Sequence, residues 1–294
     1  MPPPSDIETA MLKNLYQQQQ VDVSVLRLDE LDPLVSGNKR FKLERYLAAA
    51  RDRGRRGLVT WGGPWSNHIL ATAAACHRAG LLAQGIIRGE RPAVPSPMLR
   101  DAEVLGMELH YISRTEYRAQ YLPPTIDPGA WILVPEGGYG PEGRDGAAGI
   151  AAATNWTSFT HVLTAVGTGT TLAGLIQASA GSAVRCIGIN VLKNPGAAEA
   201  VRRLLPETLH AAVDIRAGFE AGGYARHTPA LIAFMNDWYR QTGIPSDFVY
   251  TGKLFRAADT LIRQGAFPAG SRVLLVHSGG LQGNRSLPAG TLIF

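Results

Sequence analysis

The feature that most limits how this chain can fold is a long alternation of short apolar runs with helical stretches. Residues 57–61 read as a strand, 66–78 as a helix, 82–87 as a strand, 98–105 as a helix and 109–112 as a strand. The pattern continues with a strand at 131–134, a helix at 145–154, a strand at 161–166, a helix at 171–180 and a strand at 185–191. Helices at 197–205, 229–241 and 254–263 lead to a closing strand at 272–276. An apolar run with no polar alternate is buried on both faces, and helical crossovers between such runs make their pairing parallel. The fold class is therefore α/β and doubly wound, an architecture that binds ligands on loops after strand C-termini.

A chain of 294 residues suffices for one large α/β domain or two modest ones. The net charge of +5 is spread along the sequence, and its densest cluster, 51–56, reads as a solvated helix end. Such a distribution argues against nucleic acid as a partner. Cys76 and Cys186 are far apart in apolar surroundings, which fits a reducing compartment without disulfides. Histidine, cysteine and aspartate show no ligand spacing, so no metal is expected. Residues 1–6 lack the basic start and apolar core of a signal peptide, and no apolar run could cross a bilayer. The expectation is a soluble, cytoplasmic protein with no membrane partner.

Four glycine-rich loops follow strands. In Gly62-Gly63-Pro64-Trp65-Ser66-Asn67-His68, Ser66 is a natural N-cap, and the helix-start amides behind it attract an anion such as a carboxylate. The Gly-x-Ser-x-Gly pattern of a hydrolase elbow is absent there. The run 135–143 is glycine-rich but by itself only a loop. Val166-Gly167-Thr168-Gly169-Thr170-Thr171 joins a strand to a helix, and its amides and hydroxyls suit a phosphate monoester. A dinucleotide would need a third glycine at a set offset and an acid ending the next strand; both are missing, as is the Gly-Lys-Ser/Thr of a P-loop. The fourth loop, Val276-His277-Ser278-Gly279-Gly280, closes the last strand with a buried histidine.

A fifth segment, 35–47, sets Lys39 in a Gly-Asn turn at the start of an amphipathic helix that also carries Lys42. Taken alone, both lysines read more readily as solvated charges on the first half of a helix. A turn beside a positive helix end also favours a neutral, nucleophilic amine. With a phosphate cradle, a carboxylate site and a Ser-Gly-Gly loop, such an amine describes pyridoxal phosphate and an amino-acid substrate.

Gly37-Asn38-Lys39-Arg40-Phe41-Lys42-Leu43-Glu44 resembles the signature of the 1-aminocyclopropane-1-carboxylate deaminase and D-cysteine desulfhydrase family, within the tryptophan-synthase-β-like pyridoxal-phosphate enzymes. The likeness continues through 62–68, 168–171, 247–253 and 270–280, and covers nearly the whole chain from about Leu26. The N-terminus is shorter than the family pattern, and segments within the small domain and after the phosphate loop are trimmed. The resemblance implies two doubly wound domains, 47–136 against 1–46 with 137–294, and the cofactor between them. It implies that Lys39 forms the internal aldimine, Asn67 bonds the phenolic oxygen, and Gly167, Thr168, Gly169, Thr170 and Thr171 hold the phosphate. Ser66, Asn67 and His68 would meet the substrate carboxylate, with Tyr224 and Tyr250 flanking the substrate. A homodimer is expected.

Deaminases of the cyclopropane substrate carry a glutamate directly after the tyrosine of the Tyr250 motif and a leucine before the final Gly-Gly. This chain has Thr251 and Ser278, the small hydroxyls of the desulfhydrase-like branch. A hydroxyl at the pyridine nitrogen makes a weaker electron sink than a carboxylate, which suits loss of a β-leaving group better than ring opening. The implied reaction is β-elimination from D-cysteine to pyruvate, ammonia and sulfide, with cyclopropane deamination as the alternative. A homologue that binds pyridoxal phosphate or an amino acid with weak turnover is a reading of another class, and an NAD oxidoreductase a third.

Overall fold

A computed structural model describes residues 7–12 and 15–294; the N-terminal reading at 1–6 lies outside them. A six-stranded sheet is built from β1 (Thr9–Met11), β2 (Asp22–Leu26), β7 (His161–Val166), β8 (Arg185–Asn190), β9 (Asp214–Arg216) and β10 (Arg272–Val276). Its order is β1-β2-β10-β7-β8-β9, parallel throughout except for β1. A second, fully parallel sheet, ordered β5-β4-β3-β6, contains β3 (Gly57–Gly62), β4 (Leu82–Arg88), β5 (Met107–Ile112) and β6 (Ile132–Val134).

The helices are α1 (Asn38–Asp52), α2 (Asn67–Ala79), α3 (Pro97–Val104), α4 (Arg114–Arg118), α5 (Pro141–Ala148), α6 (Thr170–Ala178), α7 (Ala197–Arg202), α8 (Pro229–Thr242) and α9 (Thr251–Arg263). The expected helix at 145–154 begins earlier, at Pro141, whose fixed φ suits a first helical position. It then tightens into a 3-10 turn over Gly149–Ala153. Three short strands escaped the sequence reading: β1, β2 and β9. β2 is the consequential one, because it pairs along the full length of β10 and makes that strand interior.

Helix α1 links the two halves. Its Phe41 packs in a core with Leu172 and Ala147 beside the six-stranded sheet, while Leu43, Tyr46, Leu47 and Ala50 pack with Leu58 and Ile69 beside the four-stranded one. The helix thus runs through the boundary expected at 46/47. Its first turn lies in the seam between the two sheets, with the loops after β3, β7 and β10.

Candidate active site

These loops enclose a cleft of about 690 Å³ lined by Lys39, Ser66, Asn67, His68, Gly167, Thr168, Gly169, Thr171, Tyr224, Tyr250 and Ser278. Thr170 is wholly buried behind the rim, its hydroxyl 2.9 Å from that of Thr168.

The turn before Lys39 depends on Gly37. Its φ is +63°, and a Cβ there would lie 1.9 Å from the Ser278 carbonyl oxygen, so only glycine lets the two loops touch. Across the contact the Asn38 amide donates to that carbonyl at 3.3 Å. Lys39 Nζ donates to Asn38 Oδ1 at 2.8 Å, and Asn38 Nδ2 donates to Thr171 Oγ1 at 2.7 Å. The amine is therefore tied through one side chain to the glycine-threonine loop. Burial lowers the Lys39 pKa to about 8 against the opposing pull of Asp247. Burial, rather than the helix end named by sequence reasoning, is the leading cause. Lys42 is also buried, and its amine is held well below its ordinary pKa by burial and then by the Lys39 charge. It donates to the Gly137 carbonyl at 3.2 Å.

Gly169 precedes α6 with φ +87° and no side-chain cap, leaving the first-turn amides of Thr170, Thr171 and Leu172 for an anion. On the opposite wall Ser66 caps α2, accepting from the Ile69 amide at 3.4 Å, so its own hydrogen is free to donate. Asn67 Nδ2 donates to the Gly280 carbonyl at 3.3 Å, while its Oδ1 is buried without a partner. The second Nδ2 hydrogen remains available. The Tyr250 ring packs on Gly167, its Cε1 3.2 Å from where a Cβ would stand. The Ser278 hydroxyl has no hydrogen-bond partner among the described residues.

Two residues differ from the roles that the resemblance implied. Thr251 does not reach the cleft: fully buried, it donates its hydroxyl to Asp247 Oδ1 at 2.8 Å and accepts the Asp247 amide at the same distance. His68 cannot greet a carboxylate as a donor. Thr60 gives its hydroxyl hydrogen to the Val134 carbonyl at 2.7 Å and so accepts from His68 Nε2 at 2.9 Å. That assignment leaves Nδ1 a buried acceptor without a partner. Burial, then Lys39 and Lys42, hold this histidine neutral by lowering its pKa well below the ordinary value.

Sequence reasoning also passed over two buried charges. Asp247 accepts from the amides of Val249, Tyr250 and Thr251 and from the Thr251 hydroxyl, which orders the start of α9 and with it Tyr250. Lys253 donates to the carbonyls of Val191 and Gly223, anchoring the loop that carries Tyr224. Both lie in the 247–253 motif, but an acid and a lysine in a loop-to-helix junction look solvated until the fold buries them.

An amine of lowered pKa, an open helix N-terminus, a free amide hydrogen and an unpartnered hydroxyl could hold the aldehyde, phosphate, phenolic oxygen and ring nitrogen of pyridoxal phosphate. Fold and site together define a pyridoxal-phosphate enzyme of fold type II. The chain belongs to the family described as "Pyridoxal-phosphate dependent enzyme", which matches residues 6–279. It is similar to a Thermotoga maritima protein provisionally named a 1-aminocyclopropane-1-carboxylate deaminase, at 30% identity over 92% of this chain and 93% of that one. It is also 28% identical to the Arabidopsis thaliana mitochondrial protein named bifunctional D-cysteine desulfhydrase/1-aminocyclopropane-1-carboxylate deaminase, over 85% of this chain and 70% of that one. A crystal structure described as an ACC deaminase homologue superposes with a TM-score of 0.82 at 26% identity, covering 96% of this chain and 91% of that one. Among the described residues no group of histidine, cysteine and acidic side chains could hold a metal, and no helix is long and apolar enough to cross a membrane.

Proposed function

We propose that this enzyme catalyses β-elimination on a small amino acid, with D-cysteine as the reference substrate: D-cysteine and water give pyruvate, ammonia and hydrogen sulfide. The observation that carries this reading is the unpartnered Ser278 hydroxyl on the cleft wall, at the position that the resemblance gives to the ring-nitrogen partner. The buried Asp247 carboxylate already accepts four hydrogen bonds and is not free for that task. Bound pyridoxal phosphate supplies the electron sink that acidifies the substrate's Cα–H. A hydroxyl partner keeps that sink weak, which favours a substrate whose β-substituent leaves readily.

Lys39 Nζ would hold the cofactor's aldehyde and serve as the base for the substrate's Cα proton. Gly167, Thr168, Gly169 and Thr171 receive the phosphate, with Thr170 bracing Thr168, and Asn67 Nδ2 bonds the phenolic oxygen. The Ser66 hydroxyl and the first amides of α2 receive the substrate carboxylate. Tyr224 and Tyr250 flank the side chain. Burial comes first in raising both phenols' pKa values, helped by Glu136 and by Asp247, so each keeps a proton for a departing sulfur. Residues 47–136 would form the smaller domain, and the enzyme would act as a cytoplasmic homodimer; the free, buried Cys76 and Cys186 support a reducing compartment.

The names of the relatives favour cyclopropane deamination as the second reading. Keto-acid release from D- and L-cysteine, β-chloroalanine and 1-aminocyclopropane-1-carboxylate decides between them. Pyruvate from D-cysteine or β-chloroalanine is the expected product; faster 2-oxobutyrate release from the cyclopropane substrate would overturn the proposal. A cofactor-bound protein that releases no keto acid from any of them would be a binding homologue.

A further inference from the structure

A second cavity, of about 510 Å³, adjoins the cleft and shares Arg88 and Glu136 with it as walls. Its remaining lining includes Trp61, Tyr117, Arg114 and Arg118. Three guanidiniums therefore face one carboxylate. Arg114 and Arg118 stand one turn apart on α4, whose start is fixed by a capping box between Ser113 and Glu116. Neither is paired with a carboxylate among the described residues, in contrast to Arg203 with Glu199 and Arg263 with Asp259. Arg88 is held over the Tyr117 ring, 5.5 Å from its centroid, and its guanidinium lies against Gly63 in the loop that leads to Ser66. The Trp61 indole is 7% exposed, and its Nε1 is buried without an acceptor.

We propose that this cavity is a distal anion subsite of the active site, built for an amino acid whose β-substituent carries a second acidic group such as a phosphate or sulfonate. The inference rests on the elimination reading for the orientation of the substrate, with its α-carboxylate at Ser66 and its side chain directed past Tyr224 toward Arg88. Glu136 stands on the shared wall beside both Tyr117 and Tyr224, where its charge adds to burial in raising their pKa values. It disfavours an anion lodged midway, so a short acidic side chain gains less than one that reaches Arg114 and Arg118.

The test compares O-phosphoserine with β-chloroalanine, each as the reacting enantiomer, in the wild-type holoenzyme and in the double variant Arg114→Gln/Arg118→Gln. Both arginines are exposed and outside the catalytic groups. The expected result is a fall of tenfold or more in kcat/KM for O-phosphoserine, with β-chloroalanine unchanged within twofold. An equal change for both substrates, or none for either, would overturn the subsite. Turnover of β-chloroalanine without any of O-phosphoserine in the wild-type holoenzyme would also overturn the subsite; should it process neither of these nor D-cysteine, the elimination reading fails by itself. Calorimetry on the same holoenzyme then decides the subsite: tighter binding of O-phosphoserine than of serine, lost in the double variant, supports it, and equal binding refutes it.

Discussion

Lys253 Nζ donates to the Gly223 carbonyl at 2.7 Å, one residue before Tyr224, while the same amine donates to Val191 at the end of β8 at 3.1 Å. The side chain is 1% exposed, and burial lowers its pKa to about 8 despite the pull of Asp247 and Glu220. Lys253 lies one helical turn after Tyr250, so it fastens the helix that Tyr250 opens to the loop of Tyr224. Replacing it with methionine removes two hydrogen bonds and leaves the Gly223 carbonyl with only the Arg226 amide, at 3.2 Å, a loss of about 1–3 kcal/mol. Lys253→Met is expected to lower the urea midpoint and raise KM several-fold while the cofactor's visible absorbance persists. An unchanged KM would mean that the Tyr224 loop is held by other contacts.

The phosphate loop makes a steric prediction. A Cβ at Gly169 would lie 2.7 Å from Val201 Cγ2, on a backbone with φ +87°. Valine there adds about 1–2 kcal/mol of left-handed strain to an overpacking cost of about 1–3 kcal/mol. Gly169→Val is therefore expected to weaken cofactor binding at least tenfold in equilibrium dialysis, and Thr168→Ala, which loses a hydroxyl pair, to weaken it less. Wild-type retention in Gly169→Val would put the phosphate elsewhere.

The pH dependence of cofactor capture follows from Lys39. Only the neutral amine attacks an aldehyde, and burial lowers its pKa from 10.5 to about 8. The capture rate of the apoenzyme should rise about tenfold per pH unit below 8 and level off above it. The titratable groups around this amine are Asp247, Lys42 and His68. Because Asp247 favours the ammonium form, Asp247→Asn should shift the midpoint to lower pH. A shift upward, or a flat profile between pH 6 and 9, would contradict the assignment.

Much of this architecture is legible in the sequence. The continuous apolar runs of β3, β4, β7, β8 and β10 mark themselves because both of their faces are covered. β2 does not, since Asp22-Val23-Ser24-Val25 alternates like a half-exposed strand although all but Asp22 are buried in the fold. The cleft-lining loops are readable because glycine, serine and threonine at strand ends have few other uses. The Thr251 and His68 roles were not readable, because each depends on a partner distant in space or in burial. Thr251 is claimed by a carboxylate that only the fold places out of water, and the tautomer of His68 is set by a hydroxyl on β3 that is itself committed to β6. The Arg88, Arg114 and Arg118 cavity joins β4 to α4, and nothing local links these residues.

In the proposed mechanism Lys39, rather than Lys42 one turn along the same helix, binds the cofactor covalently. Both amines line the cleft and both have lowered pKa values, but Lys42 donates to the Gly137 carbonyl, whereas Lys39 is tied through Asn38 to the phosphate loop. Borohydride reduction of the holoenzyme followed by peptide mapping distinguishes them. The expected result is a pyridoxyl label on Lys39 that disappears, with the visible absorbance, in Lys39→Ala. A label on Lys42, or on neither lysine, would contradict it.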